Sequence, residues 1–464
     1  MTTRDGATDR LLQYRTGSIN CKRERIHLLA FIAARGGGAF AVAKLQLLLG
    51  ALFVFWSAAG RCAEAQEQAA ERSSRPLAEL AIAKDGAPLI VPVTIETKLP
   101  GETAADRKRI YKMLIDTGSG WTVFDTSHRG ALGKPISDVA VETPSGVLVG
   151  ERFNAPQINF GTFGIHIFEE VVCFDLSAAS DALGEQIDGV LGIDMLMGCI
   201  ISVNFDEGKL RFLEAADPSF GKQVPVVMDD ARGPGFPKVR AAFDEKSTVL
   251  FSIDTGRVST FAGGLDSVEY AQRLENKELS SALAVAHSEY QFRPFMIETT
   301  MDMKLGRAKS FSLGGYKHQN LVFGQYPNSS VGLGYLSRYC VLFDFRNGVM
   351  YLRPGKGFNR PELYDLSGLR LSKQNGDVVV GAVVNRSEAA KMGIKSGDIL
   401  VEIDGDKSKD LTLFAVRQRF CRAGRHMLEI GRDGKRKQLE LVLVAEQVER
   451  GKSAIGPDKP DRSK

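Results

Sequence analysis

One short run of residues occurs twice in this chain, and the spacing around it repeats as well. Ile115-Asp116-Thr117-Gly118 returns 138 residues later as Ile253-Asp254-Thr255-Gly256. Gly192-Ile193-Asp194-Met195-Leu196 is answered by Gly332-Leu333-Gly334-Tyr335-Leu336 at an offset of 140, and the same offset carries Asn204-Phe205 onto Asp344-Phe345 and Gly208 onto Gly348. Two separated blocks that keep nearly one offset mark an internal duplication, two copies of a lobe of about 130 residues. The length agrees, since 464 residues exceed the roughly 250–300 at which a single core stops growing.

Within each copy the pattern is β. Leu89 to Ile95, Ile110 to Ile115, Gln157 to Phe160 and Ile165 to Phe174 are short apolar runs separated by Gly, Pro, Asn and Asp turns, the spacing of an all-β lobe. Average composition gives about 0.1 chance Asp-Thr-Gly tripeptides in a chain this long. Here both copies follow a strand-like run, Met113-Leu114-Ile115 and Leu250-Phe251-Ser252-Ile253. Val190-Leu191-Gly192 follows the first at a distance matched by Ser330-Val331-Gly332 after the second, with Gly332-Leu333-Gly334 overlapping it.

The paired pattern resembles the pepsin-like and retropepsin-like aspartic peptidases over about residues 85 to 354. The resemblance implies a mainly β, bilobal pseudo-dimer of β-barrel-like lobes, with lobe 1 over 85–215 and lobe 2 over 216–354. It also implies that the catalytic residues are Asp116 and Asp254, that Thr117, Gly118, Ser119, Thr255 and Gly256 support their loops, and that no cofactor or metal takes part. Two carboxylates about 3 Å apart cannot both ionise, so they share a proton: one accepts from water while the other donates to the peptide carbonyl. Each glycine lets backbone approach a carboxylate, and each threonine hydroxyl ties its loop to the opposite lobe. Ser119 matches the pepsin-like pattern, in which the hydroxyl bonds the outer carboxylate oxygen. Arg257 stands in its place in the second copy, and an outward side chain is expected there because a buried unpaired guanidinium is costly. A substrate-covering flap is expected as a hairpin over Val141 to Leu148, its turn formed by Thr143, Pro144, Ser145 and Gly146, without the tyrosine that pepsin-like flaps carry.

Residues 364–445 read as a third, β-rich unit. Ser387-Glu388-Ala389-Ala390-Lys391-Met392-Gly393-Ile394-Lys395-Ser396-Gly397-Asp398-Ile399-Leu400, followed by Ile403-Asp404-Gly405, predicts a short helix ended by Gly393, a tight turn, a strand and a hairpin turn. This is similar to a bacterial PDZ domain, β with short helices. The likeness implies that Ser367, Gly368, Leu369, Arg370 and Leu371 form the loop and strand that receive a peptide C-terminus. Residues 66–84 and 355–363 read as linkers, and 446–464, charged and without apolar periodicity, as a disordered tail.

Residues 1–65 read as a leader. They hold nine Lys/Arg (Arg4 to Arg61) against four acids (Asp5, Asp9, Glu24, Glu64), which leaves the rest of a +4 chain slightly acidic and without a nucleic-acid footprint. The apolar run Leu45 to Ala59 reaches roughly 22 Å as a helix, short of a ~30 Å hydrocarbon core, and Ala63-Glu64-Ala65 follows it. A cleaved signal peptide and a location in the periplasm or an equivalent exported space are therefore expected, with membrane association only if the run is retained as an anchor. Translation from Val42 would leave Ala-Lys-Leu ahead of the run, an ordinary start for such a signal. Cys173, Cys199, Cys340 and Cys421 lack metal-site spacing and flank apolar residues, so buried free thiols are expected, although an exported space would permit a disulfide.

No H-E-x-x-H or G-x-S-x-G occurs and none of the six His sits in a ligand or triad motif, which argues against a zinc or trypsin-like peptidase. The sequence therefore points to an exported aspartic endopeptidase with polypeptide substrates, and with peptide C-termini as partners of the PDZ unit. The alternative is a non-catalytic polypeptide-binding protein with a vestigial peptidase groove.

Overall fold

The computed structural model describes residues 76–84, 86–96, 108–143, 146–165, 169–229, 235–244, 247–280, 285–287 and 302–444. The leader with its apolar run, the tail of 446–464, and Pro144 and Ser145 of the expected flap lie outside the described residues. Among those residues no helix is long and apolar enough to cross a membrane.

The first lobe runs through β1 (Pro76–Ala81), β2 (Ile90–Glu96), β3 (Lys108–Ile115), β4 (Val123–Asp125), α1 (Arg129–Leu132), β5 (Ser137–Thr143), β6 (Gly146–Asn154), β7 (Gln157–Phe160), β8 (Phe163–Ile165) and β9 (Glu170–Phe174). It closes with α2 (Ser177–Leu183), β10 (Gly189–Leu191), α3 (Ile193–Leu196), β11 (Ile200–Asn204) and β12 (Lys209–Leu213). The second runs through β13 (Lys222–Asp229), β14 (Phe236–Ala242), β15 (Thr248–Ile253), β16 (Gly263–Asp266), α4 (Ser267–Glu275), β17 (Val285–His287) and β18 (Asp302–Ala308). It closes with β19 (Phe311–Leu313), β20 (Tyr316–His318), β21 (Leu321–Tyr326), β22 (Ser330–Val331), α5 (Leu333–Leu336), β23 (Tyr339–Asp344) and β24 (Val349–Pro354).

The duplication in the sequence is a duplication of pairing. β10 lies parallel to β3 as β22 does to β15, and β9 parallel to β4 as β21 does to β16. The antiparallel hairpin β5–β6, joined to β9, has its counterpart in β17–β18, joined to β21. Alternate residues of β2 and β15 are buried, the two-residue period of strands with one face on a core. Phe243, Phe251, Phe311 and Phe323 fill the second lobe, with Phe311 and Phe323 centroids 4.9 Å apart, each ring contributing roughly 2–3 kcal/mol by leaving water.

The lobes meet through β11 and β23, antiparallel neighbours in which Ser202 faces Leu342, its own counterpart at the offset of 140. β12 and β1 extend the seam on one side, and β24 and β13 on the other. Every residue of β11 and β23 is buried, because both faces of this central pair are covered. Two stretches expected as linkers are instead part of the lobes. β1 starts inside 66–84 and pairs with β12, satisfying an edge that would otherwise stand open. Residues 355–363 are packed down. Lys356 donates its amide to Asp206 at 2.9 Å, Arg360 donates to the Gly334 carbonyl and to Ser337 Oγ at 2.7 Å each, and buried Arg338 pairs with the buried Glu362 carboxylate.

The C-terminal domain contains β25 (Leu369–Gln374), β26 (Asp377–Val383), α6 (Glu388–Lys391), β27 (Ile399–Ile403), β28 (Asp406–Lys407), α7 (Leu413–Phe420), β29 (Gly424–Arg432) and β30 (Lys435–Leu443). Its strands stack in the order β25-β26-β27-β29-β30 around a core of its own that includes Leu371, Val380, Leu400, Val416 and Leu441. Ser387 and Thr412 cap α6 and α7 by accepting the Ala390 and Ala415 amides. Cys173, Cys199, Cys340 and Cys421 are buried thiols outside any disulfide; burial pushes the Cys173 and Cys199 thiols up to about 12.

Candidate active site

Each Asp-Thr-Gly loop hangs from the C-terminal end of a strand, β3 or β15, and is held from behind. The Asp116 amide donates to the Leu191 carbonyl and the Asp254 amide to the Val331 carbonyl, both at 3.0 Å. A second pair of bonds, from the Ile193 amide to the Ser119 carbonyl at 2.8 Å and from Leu333 to the Arg257 carbonyl at 3.0 Å, pins the far side of each loop. This is the physical use of the two apolar-Gly segments: they bring β10 and β22 directly beneath the loops.

The loops then grip each other. Thr117 Oγ1 donates to the Ile253 carbonyl at 2.7 Å and accepts the Thr255 amide at 3.1 Å. Thr255 Oγ1 donates to the Ile115 carbonyl at 2.9 Å and accepts the Thr117 amide at 3.0 Å. Asp116 Oδ1 accepts the Gly118 amide at 2.7 Å and the Gly256 amide at 3.2 Å. A methyl group on Gly118 would sit 2.6 Å from the Asp254 carboxyl carbon, and one on Gly256 would collide with the Asp116 carboxylate. Only glycine lets each carboxylate lie against the opposite loop, and both are buried, Asp116 at 0% and Asp254 at 4% exposure. The arrangement sets each buried acidic side chain against the glycine of the opposite loop.

Known families match two parts of the chain, one within the first lobe and one at the C-terminal end. Residues 101–195 match the aspartyl protease model and residues 367–443 the PDZ domain model. The chain thus carries an aspartyl protease domain and a C-terminal PDZ domain. No curated protein matches it.

Around the protease loops three details depart from expectation. Ser119 Oγ donates to the Trp121 carbonyl at 2.7 Å; its single hydrogen is spent on shaping the turn, not on an aspartate oxygen. Arg257, expected outward, is buried at 1% exposure. Its guanidinium lies 3.5 Å from the Tyr326 ring centroid and donates to Ser330 Oγ at 3.0 Å, in a slot left open by Gly264 and Gly332. Its Nε and Nη2 have no hydrogen-bond partner among the described residues, so ring stacking offsets only part of the desolvation. The third detail is Asp194, whose place in the repeat gives no hint of its role. Its carboxylate accepts the Thr122 amide, the Thr122 hydroxyl and the Met195 amide, each at 2.8 Å, locking the first loop to α3, while burial raises its pKa above the usual carboxylate value. The second lobe has Gly334 there, with the Phe261 carbonyl packed against it.

Of the expected flap, Thr143 pairs with Gly146 at the end of the β5–β6 hairpin. In the PDZ domain, Leu369, Arg370 and Leu371 open the edge strand β25. The loop before it is not open. Asp365 Oδ1 accepts the Ser367 amide at 2.8 Å as well as its hydroxyl, Ser367 Oγ accepts the Leu369 amide at 3.0 Å, Ser367 is fully buried, and Gly368 turns at φ +71°.

Proposed function

We propose that this chain is an exported aspartic endopeptidase that hydrolyses peptide bonds with a water activated between Asp116 and Asp254, its PDZ domain serving to capture polypeptides or their C-termini. An aspartyl protease domain joined to a PDZ domain supports a peptidase acting on polypeptide. The observation that carries the finer reading is the reciprocal exchange of threonine hydrogen bonds, which sets each carboxylate against the glycine of the other lobe. With one proton between them, the ionised carboxylate takes a proton from water as its oxygen attacks the peptide carbonyl carbon. The protonated carboxyl gives its hydrogen to the carbonyl oxygen, and the resulting diol collapses with proton transfer to the departing amine.

Asp116→Asn and Asp254→Asn are each expected to abolish cleavage while leaving the fold intact, with the double variant scarcely worse, because the proposed pair acts as a unit. The wild-type rate is expected to fall on both sides of its optimum and to be blocked by pepstatin. A folded single variant with near wild-type turnover, or pepstatin-insensitive cleavage, overturns the assignment. The second reading, a polypeptide-binding protein with a vestigial groove, is favoured by the buried Arg257 cation on one loop; binding without turnover from acid to mildly alkaline pH would establish it. Export is supported by the apolar run Leu45 to Ala59 and the Ala63-Glu64-Ala65 that follows. N-terminal sequencing of the exported protein is expected to start just beyond Ala65, and a start upstream of Leu45 contradicts it.

A further inference from the structure

A PDZ domain receives a chain end between its edge strand and the helix beside it, here β25 and α7. In this chain that groove already holds part of the first protease lobe. α2 packs against β25, and Gly184, which ends α2 in the left-handed conformation at φ +75°, lies where a Cβ would collide with Leu413, the first residue of α7. Arg417, one turn along α7, spans the gap: Nη2 donates to the Leu371 carbonyl on β25 at 2.8 Å and to the Ala182 carbonyl at the end of α2 at 3.0 Å. Phe420, a turn further, accepts the Leu366 amide, so Arg417 stands near the loop end of the groove. Ala182 to Gly184 therefore run along the groove from that end towards Leu413. The loop amides of Ser367 and Leu369 are meanwhile satisfied by Asp365 and Ser367 side chains.

The occupying segment also leads to the dyad. Beyond Gly184 the Ile187 amide bonds Ser180 Oγ at 3.2 Å, and the chain enters β10, whose Leu191 carbonyl receives the Asp116 amide.

We propose that α2 is a built-in occupant of the PDZ groove, and that a polypeptide with a free apolar C-terminus binds there only by displacing it. This rests on the PDZ half of the function above and not on its chemistry. The incoming carboxylate takes the place of the Ala182 carbonyl on Arg417, and the chain end adds to β25. Because α2 is continuous with the strand supporting Asp116, capture of a chain end is transmitted to the first catalytic loop.

The test uses the full chain carrying Asp116→Asn, so that no peptide is consumed. A fluorescent hexapeptide ending in valine, as free acid and as amide, is titrated against this protein and against one that also carries Gly184→Asn. Asparagine tolerates the left-handed backbone, but its side chain strikes Leu413. The Gly184→Asn protein is expected to bind the free acid at least tenfold more tightly than its parent, and the amide less well than the acid. In the parent, saturating free acid is expected to speed hydrogen exchange across residues 177–187. Equal affinities with unchanged exchange, or no binding by either protein, overturn the proposal. If Gly184→Asn does not fold, the exchange measurement on the parent decides alone. Neither readout involves cleavage, so failure here is distinct from failure of the peptidase reading.

Discussion

Thr117 and Thr255 each use one hydroxyl as donor and acceptor across the lobes, so each holds two buried backbone groups that have no water to turn to. Thr255→Val keeps the shape and strands the Ile115 carbonyl and the Thr117 amide; a loss of roughly 2–4 kcal/mol is expected in denaturant unfolding, together with most of the activity. Thr255→Ser restores both. Arg257 invites a different experiment. A buried cation favours ionised carboxylates nearby, so Arg257→Thr is expected to move both limbs of the pH–rate profile upward, by up to about one unit, while Arg257→Lys leaves them nearer to wild type. An unmoved profile in folded Arg257→Thr would separate this residue from the dyad. The two aspartates were legible in the sequence because the loop that needs them also needs Thr and Gly in fixed order. The orientation of Arg257 was legible only in retrospect. Ser330, where the first lobe has Val190, supplies its hydrogen-bond acceptor, and Gly264 and Gly332 supply its space. A contact made by residues 73 apart leaves no local pattern to read.

Strands with a clear two-residue period, such as β2 and β15, could be read from the sequence, whereas β1 and the segment after β24 could not. Pro76-Leu-Ala-Glu-Leu-Ala has no β-branched residue and is a strand because β12 offers it an edge. Residues 355–363, rich in Gly, Pro, Asn and Arg, look like a linker by composition, yet they bury Arg338, whose guanidinium donates to the Phe358 and Arg360 carbonyls and pairs with Glu362. A chain cut after Pro354 strips that guanidinium of its cover and of the Phe358, Arg360 and Glu362 oxygens, and one cut after Leu366 does not. The shorter product is expected to be the less stable in urea or guanidinium unfolding, by roughly 2–3 kcal/mol for hydrogen bonds to a charged group that are lost to water. Equal stabilities would mean that the segment only rests on the lobe.

The molecule as a whole carries a limit on acidity. His318 is buried beside the Tyr339 hydroxyl at 2.5 Å, and burial, with Arg338 nearby, lowers its pKa to about 4. The unfolded chain takes up this proton near 6.5, so the stability is present above that pH and drains away as pH falls from about 6.5 to about 4, on the order of 3 kcal/mol in all. His318→Gln is expected to flatten the stability profile across that window, as measured by unfolding at a series of pH values; an equally steep profile would place the acid sensitivity elsewhere. A site made by two identical chains is edited twice by every mutation. Here the halves are separate stretches of one gene, and each has drifted alone: Asp194 and Thr122 brace one loop, while Arg257, Ser330 and Gly334 surround the other. In the dyad proposed above the two carboxylates are thus unequal before any substrate arrives, and the neighbours each has inherited decide which of them would hold the shared proton.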